Sequence, residues 1–221
     1  MLEIWGRKNS SNVIPVMWAV GELGLEHTRY NVGGSFGRLD TADFRAKNPK
    51  GLIPVINDDE FILTESNAIV RYLCTLYGNE LLPLKDARAY AIADQWMEWY
   101  KTTAYGPYIG LFKMLIRTPV EKQDSAEASR YQNTLESHLK LLDSQLCGQN
   151  YVGGNDFSMA DIPLGSLAYR YFNLEIERAD LPNLAAWYVR LCERPAFQEH
   201  AMIPFGRNLE EWNELEKNTN H

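Results

Sequence analysis

Cysteine and histidine are scarce in this chain of 221 residues, with three of the first and four of the second. Cys74, Cys147 and Cys192 are odd in number, far apart and without C-x-x-C spacing. That excludes a disulfide framework and a thiol-rich zinc site, and fits a reducing compartment. Cys74 and Cys147 stand among apolar helical residues, where a thiol is expected as buried filler. His27, His138, His200 and His221 are scattered with no metal-ligand spacing, so no metal is expected. Basic charge is short as well: 22 Lys and Arg face 29 Asp and Glu, a formal charge of −7. With no cationic stripe to neutralise phosphates, a nucleic-acid partner is excluded. The longest uncharged apolar stretch, Val13 to Val20, falls far short of the roughly 20 residues of a membrane span. Met1 leads into Leu-Glu-Ile-Trp with neither a basic leader nor a cleavage site, so the protein is expected in the cytoplasm, off the membrane.

What the chain does have is a change of pattern near residue 80. Before it, Leu2 to Trp5 reads as a strand ending at Gly6, and the polar stretch Arg7 to Asn12 follows. Val13, Val16, Met17, Val20 and Leu23 then recur at helical spacing, with Gly24 at the stop. Pro15 is tolerated only in a first turn, which places the helix start near Ser11 or Asn12. Glu26 to Val32 reads as a second strand and Gly33 to Gly37 as a loop. Ile53 to Ile56 and Phe61 to Leu63 read as a hairpin around the turn Asn57 to Glu60. A helix from Thr64 or Glu65 buries Ile69, Tyr72, Leu73 and Leu76 and ends at Gly78. These elements make a compact α/β unit over residues 1–80.

Asn79 to Lys85 reads as a linker, with its core at 81–85, and nothing beyond it reads as a strand. Residues 86–221 are expected to form an all-α unit. A long helix runs from Ala87 to Arg117, broken or kinked near Gly106-Pro107 and Gly110. A second, marked by Tyr131, Leu135, Leu139, Leu142 and Leu146, stops at Gly148. Shorter helices span Ser158 to Asn173, Asn183 to Cys192 and Pro195 to Met202, and the tail from Asn218 to His221 is expected to fray.

Four local features carry chemistry. Asn9-Ser10-Ser11-Asn12 precedes the first helix. Such residues serve most often as N-caps, but a hydroxyl at the positive end of a helix also stabilises an anion. In Asn48-Pro49-Lys50-Gly51-Leu52-Ile53-Pro54, the proline entering a strand is an edge device, or else a cis Ile53–Pro54 bond that turns the Ile53 backbone toward a peptide ligand. Glu65-Ser66 opens a helix. It is either a first-turn acid with a cap, or a pair holding the ammonium and carboxylate of an amino-acid head group. Ser158 and Asp161 have capping-box spacing, with Phe157 and Ile162 as a hydrophobic staple, and that pair reads as structural.

In this order and spacing the four features resemble the soluble glutathione transferases over nearly the whole chain, nearest the bacterial serine-type, theta, zeta and nu members. The resemblance implies an α/β plus all-α architecture: a thioredoxin-like domain that binds glutathione, followed by a helical-bundle domain that shapes the electrophile site. It implies glutathione as co-substrate, no prosthetic group, a homodimer joined through the helices after Glu65 and after Asp86, and transfer of glutathione thiolate to a small apolar electrophile. It assigns sulfur contact to Ser10, Ser11 or Asn12, without deciding among them. The tyrosine some classes keep near the start is absent, as is the cysteine of the beta and omega members. It also assigns glutathione contacts to Lys50, Gly51, Leu52, Ile53, Pro54, Glu65 and Ser66. The electrophile pocket falls to Trp99, Tyr105, Tyr108, Phe112 and Phe205, with Trp212 closing it, although core packing explains any one of these aromatics as well. The alternatives are a glutathione-dependent isomerase, for which Arg117 or Arg170 would supply a cation, and a non-catalytic scaffold of the same fold.

Overall fold

The computed structural model describes residues 1–78 and 87–218. Four strands, β1 (Leu2–Trp5), β2 (His27–Tyr30), β3 (Val55–Asp58) and β4 (Phe61–Thr64), form a sheet of order β2-β1-β3-β4. β1 runs parallel to β2, while β3 and β4 are antiparallel to their neighbours. The parallel β1–β2 pair needs a crossover, and helix α1 (Val13–Glu22) supplies it. The β3–β4 turn is tighter than expected. Strand pairing continues to Asp58 and Phe61, and Asp59 and Glu60 turn the chain at φ 46° and 75°.

Alternation along β1 and β3 sends Leu2, Ile4 and Ile56 into the main core, while Val55 joins Val32 and Phe44 on the other face. Phe44 lies on α2 (Ala42–Lys47), a short helix not expected from the sequence. Thr41 caps it by accepting the Phe44 N–H, and Asp43 and Lys47 sit at the ends that suit their charges. Helix α3 (Ser66–Tyr77) packs on α1 and buries Ile69, Val70, Leu73 and Cys74. Leu76, expected in that stripe, is instead 56% exposed, because the buried arc turns through Val70 and Cys74. The expected linker from Asn79 to Lys85 lies outside the described residues.

From Ala87 to Arg117 the chain stays helical, so of the break or kink expected near Gly106-Pro107 and Gly110 the break does not occur. Helices α4 (Ala87–Trp99) and α5 (Tyr105–Phe112) are each followed by a wide π turn, Tyr100–Ala104 and Lys113–Arg117. Pro107 has no N–H to offer the preceding turn, and the helix widens there instead of breaking. Then come α6 (Ser125–Gln145), α7 (Asp161–Asn173), α8 (Pro182–Cys192), α9 (Pro195–His200) and a final helix α10 (Leu209–Asn218) that the sequence did not suggest. None of the described helices is long and apolar enough to cross a membrane.

Helix α7 begins at Asp161 and not at Ser158, because the Asp161 side chain is a hub and not merely half of a cap. It is fully buried and accepts the Val152 and Trp187 N–H groups on one oxygen, at 3.0 and 2.9 Å, and the Ser158 N–H and hydroxyl on the other, at 2.9 and 3.1 Å. Cys74 is buried as expected, which pushes its thiol up to about 12. Cys147 is exposed, since it falls in the turn just past α6.

Helix α1 is buried on nearly every side, between α3 beneath and α7 and α9 above. Its one acid, Glu22, is neutralised by a two-pronged contact from Arg194 at 2.7 Å and receives the Trp18 indole N–H at 2.7 Å. The start of α1 is therefore fixed at the junction between the sheet and the helices that follow it.

Candidate functional site

Strand register brings the sequence-distant motifs to one edge. Trp5 pairs with Tyr30 and Val55, and Val55 pairs with Thr64. The segments that leave or enter the sheet there are Gly6 to Asn12, the chain from Asn31 to Gly37, Ile53-Pro54 and Glu65-Ser66. All four belong to one end of the sheet, and α1 and α3 both start there.

At the first of them, Gly6 is obligatory: a Cβ there would meet the Val13 side chain at 2.4 Å. The Ser10 carbonyl accepts the opening helix bonds from Val13 and Ile14, both at 2.9 Å, and its hydroxyl accepts the Asn12 N–H at 3.4 Å. Ser10 is thus a cap, but a hydroxyl that accepts one bond still has its own proton to donate. Ser10 is 6% exposed, whereas Ser11 and Asn12 are half-buried. The segment therefore offers a hydroxyl donor together with the positive end of a helix.

The second segment is shaped by Asn48, the buried first residue of its motif, to which the sequence assigned no role of its own. Its side chain donates to the Leu52 carbonyl at 2.8 Å and accepts the Lys50 N–H at 3.2 Å. Gly51 completes the loop at φ 64°, under the Arg45 guanidinium, which is tied to the Pro49 carbonyl at 2.7 Å. The Asn-Pro-x-Gly pattern was the available signal for this turn. The Ile53–Pro54 bond is cis, Leu52 is exposed, and Ile53 is half-buried against the Val32, Phe44 and Val55 cluster.

Glu65 stands before α3 at φ 71° and ψ 115°. For a residue with a Cβ that region costs about 1–3 kcal/mol, so the surrounding structure holds it there. Its carboxylate meets the Lys50 ammonium at 2.6 Å, and both side chains are about half exposed. Ser66, the first residue of α3, is buried. Beside it the Asn67 amide donates to the Met97 carbonyl at 3.0 Å and fixes the start of α3 against α4.

The aromatics expected to wall a pocket pack on one another, and Tyr108, Phe112, Phe205 and Trp212 are buried. Tyr105 meets Tyr108 edge-on, and Phe112 meets Phe205 and Trp212 at 5.3 and 5.6 Å between ring centres. Trp99, expected with them, stands apart and packs on Trp96 and His138. At 3.6 residues per turn Trp99 falls on the side of the helix away from Tyr105, Tyr108 and Phe112.

Arg170 lies against these aromatics. It donates to the Asn9 carbonyl at 2.7 Å and to the Tyr108 hydroxyl at 3.3 Å, and its guanidinium lies 4.1 Å from the Phe112 ring centre. Arg7 and Glu216 lie close over Gly34, with Arg7 Nε 2.7 Å from the Glu216 carboxylate. Glu216 also accepts the Ser35 N–H at 2.8 Å, so α10 is latched onto the Gly33–Gly37 loop. No local pattern marks Arg7 or Glu216, because their pairing spans almost the whole chain.

Two family models match the chain: the glutathione S-transferase N-terminal domain over residues 6–81 and the glutathione S-transferase C-terminal domain over residues 92–195. The chain is 38% identical over 206 residues to glutathione S-transferase GstB of Escherichia coli, covering 92% of this chain and 99% of that protein. It is 30% identical to glutathione S-transferase 3 of Zea mays, covering 92% and 95%. Among solved structures it is similar to the theta class glutathione S-transferase of Xanthomonas axonopodis pv. citri with glutathione bound. The TM-score is 0.89 and the identity 42%, over 93% of this chain and 99% of that one.

Proposed function

The chain belongs to the glutathione S-transferase family, and we propose that it joins glutathione to small apolar electrophiles at the sheet edge beneath α5, α7 and α10. It is a transferase with a thioredoxin-like unit and a helical unit, and glutathione is its co-substrate. The boundary between the two units falls at residues 81–85. Glu65 takes the ammonium and Ser66 the carboxylate of the γ-glutamyl group, while the Ile53 main chain pairs with the cysteinyl residue beside Pro54. Lys50 and Leu52 flank the glycyl end. Tyr105, Tyr108, Phe112 and Phe205 wall the electrophile.

The observation that carries the mechanism is the Ser10 hydroxyl, which accepts the Asn12 N–H and keeps its proton at the start of α1. A free thiol has a pKa near 8.5, so little of it is ionised at neutral pH. A donor hydroxyl and a helix N-terminus both favour the thiolate. The sulfur attacks the electrophilic carbon, the C–S bond forms, and the leaving group departs with its electron pair. The chain contributes no covalent nucleophile; it holds two reactants together and lowers one pKa.

The test is titration of thiolate absorbance in the glutathione complex for Ser10→Ala, Ser11→Ala and Asn12→Ala. A hydrogen bond to a charged acceptor is worth about 1.5–3 kcal/mol, so Ser10→Ala should slow conjugation roughly ten- to a hundredfold and raise the thiol pKa. If Asn12→Ala alone raises it, Asn12 is the donor. If none of the three does, the helix terminus alone activates sulfur.

A homodimer is supported by apolar side chains left in water on β4, α3 and α4: Phe61, Ile62, Leu76, Tyr77 and Ile92 are 36–56% exposed. Three free thiols fit work in a reducing cytoplasm, where such an activity serves detoxification.

A further inference from the structure

Arg170 is a charged residue that α7 keeps 2% exposed, and its side chain is committed to the protein itself. One terminal nitrogen donates to the Asn9 carbonyl at 2.7 Å and the other to the Tyr108 hydroxyl at 3.3 Å. The Phe112 ring centre lies 4.1 Å from the guanidinium carbon, a distance at which the ring attracts the cation. The Tyr108 hydroxyl is itself buried, so the guanidinium is pinned between a fixed acceptor on α5 and the segment that carries Ser10.

What Arg170 holds is one end of the peptide unit that leads into Ser10. The Asn9 carbonyl and the Ser10 N–H belong to a single planar group. Arg170 fixes its oxygen, and its N–H donates to the Arg7 carbonyl at 3.2 Å. On the far side of Ser10 the main chain is held again, because the Ser10 carbonyl accepts the Val13 and Ile14 N–H groups at 2.9 Å. With both main-chain bonds of the Ser10 α-carbon set in direction, its β-carbon is set too. The side chain does little to hold itself, since the hydroxyl accepts the Asn12 N–H only at 3.4 Å, beyond the usual range. Of these restraints the one from Arg170 comes from the helical unit, across 161 residues. We infer that Arg170 is a positioning residue for sulfur activation: it holds the Asn9–Ser10 peptide so that the Ser10 hydroxyl is aligned with the bound thiolate. This rests on the reading of Ser10 as the sulfur's donor. Arg170 makes and breaks no bond in the reaction, and acts because a hydrogen bond weakens steeply off line.

A double-mutant cycle on the full-length enzyme tests it: wild type, Ser10→Ala, Arg170→Met and the double variant, each titrated for thiolate absorbance in its glutathione complex. Methionine keeps much of the length and has no donor. Arg170→Met should raise the pKa of the bound thiol by about half to one unit, a roughly three- to tenfold loss of thiolate below that pKa. The KM for glutathione should stay within about twofold, because the contacts at Glu65, Ser66 and Ile53 are untouched. In the Ser10→Ala background Arg170→Met should add no further rise, since there is no hydroxyl left to align. A rise that persists in full in that background means that the guanidinium acts on sulfur by its own charge, and overturns the positioning role. A lowered melting temperature and rate with an unmoved thiol pKa also overturns it, leaving Arg170 as support for the fold alone. If circular dichroism shows Arg170→Met unfolded, Tyr108→Phe takes its place: it frees one arm of the guanidinium and keeps the charge. It should give a smaller rise that Ser10→Ala again abolishes, and no rise counts against the proposal. Ser10→Ala with the wild-type thiol pKa removes the Ser10 reading and this inference with it. A rise in Ser10→Ala with none in Arg170→Met or Tyr108→Phe removes the positioning role only.

Discussion

Replacing Asp161 should destabilise the fold while sparing the glutathione site, and the size of the effect follows from its four partners. All four are donors: the Val152, Ser158 and Trp187 N–H groups and the Ser158 hydroxyl. Trp187 is fully buried, as is Val152, so Asp161→Ala leaves two N–H groups with neither acceptor nor water. An orphaned buried donor costs about 1–3 kcal/mol. Ser158 is only part-buried and recovers its bonds from solvent. Against these losses stands a gain, because burial pushes the Asp161 carboxyl above its ordinary value and removing the charge relieves that cost. The net is about 2–4 kcal/mol, which for a chain of this size lowers the melting temperature by about 5–15 °C. Asp161→Asn should do no better than Asp161→Ala, since its NH2 would face a pair of donors whichever way the amide turned. Thermal denaturation followed by circular dichroism, beside glutathione affinity measured on folded protein, checks both points. A melt within about 2 °C of wild type, or full rescue by Asn, refutes the hub.

Two further outcomes concern the latch and the assembly. Burial would raise the Glu216 carboxyl, but the Ser35 N–H and hydroxyl, then Arg7 and Asn9, outweigh it and hold it below its ordinary value. A depressed carboxylate stabilises the fold above its unfolded pKa and loses that contribution as pH falls through the folded one. Wild type should therefore lose more stability in denaturant melts than Glu216→Gln as pH drops from about 5 to about 3, and the opposite order would refute the latch. Leu76→Glu or Ile92→Glu should shift the light-scattering mass from two chains toward one. A wild-type mass of one chain at micromolar concentration removes the dimer.

Legibility from the sequence followed the range of the interactions. The start of α1 was readable because Pro15 restricts it locally, and the hydroxyl cluster before it was readable for the same reason. Helix α2 carried its own signals, Thr41, Asp43 and the stop at Pro49, but six residues between two loops are too few for periodicity to announce. Leu76 was misassigned by one step of a helix whose buried arc runs through Val70 and Cys74. Trp99 was misplaced because it was grouped by residue type: nine residues before Tyr108, it lies about two and a half turns away and so on the opposite side of the helix.

The motifs before residue 80 meet at one end of the sheet, and nothing in them selects an electrophile. The contacts that close over that end of the sheet come from far along the chain: Arg170 reaches Asn9 across 161 residues, and Glu216 reaches Ser35 across 181. Such contacts leave no local pattern, because Arg170 and Glu216 alone each read as an ordinary surface charge on a helix, and Asn9 and Ser35 as loop residues. Only the register of the sheet, the burial of α1 and the return of α10 bring them together. The division is physical. The part of the site that handles sulfur is set by backbone conformation at helix starts, which short sequences encode. The helices that close over it are held by contacts between distant residues, which only the folded chain defines. Variation in Ser10 should accordingly change how fast sulfur reacts with any electrophile, whichever one the helices admit.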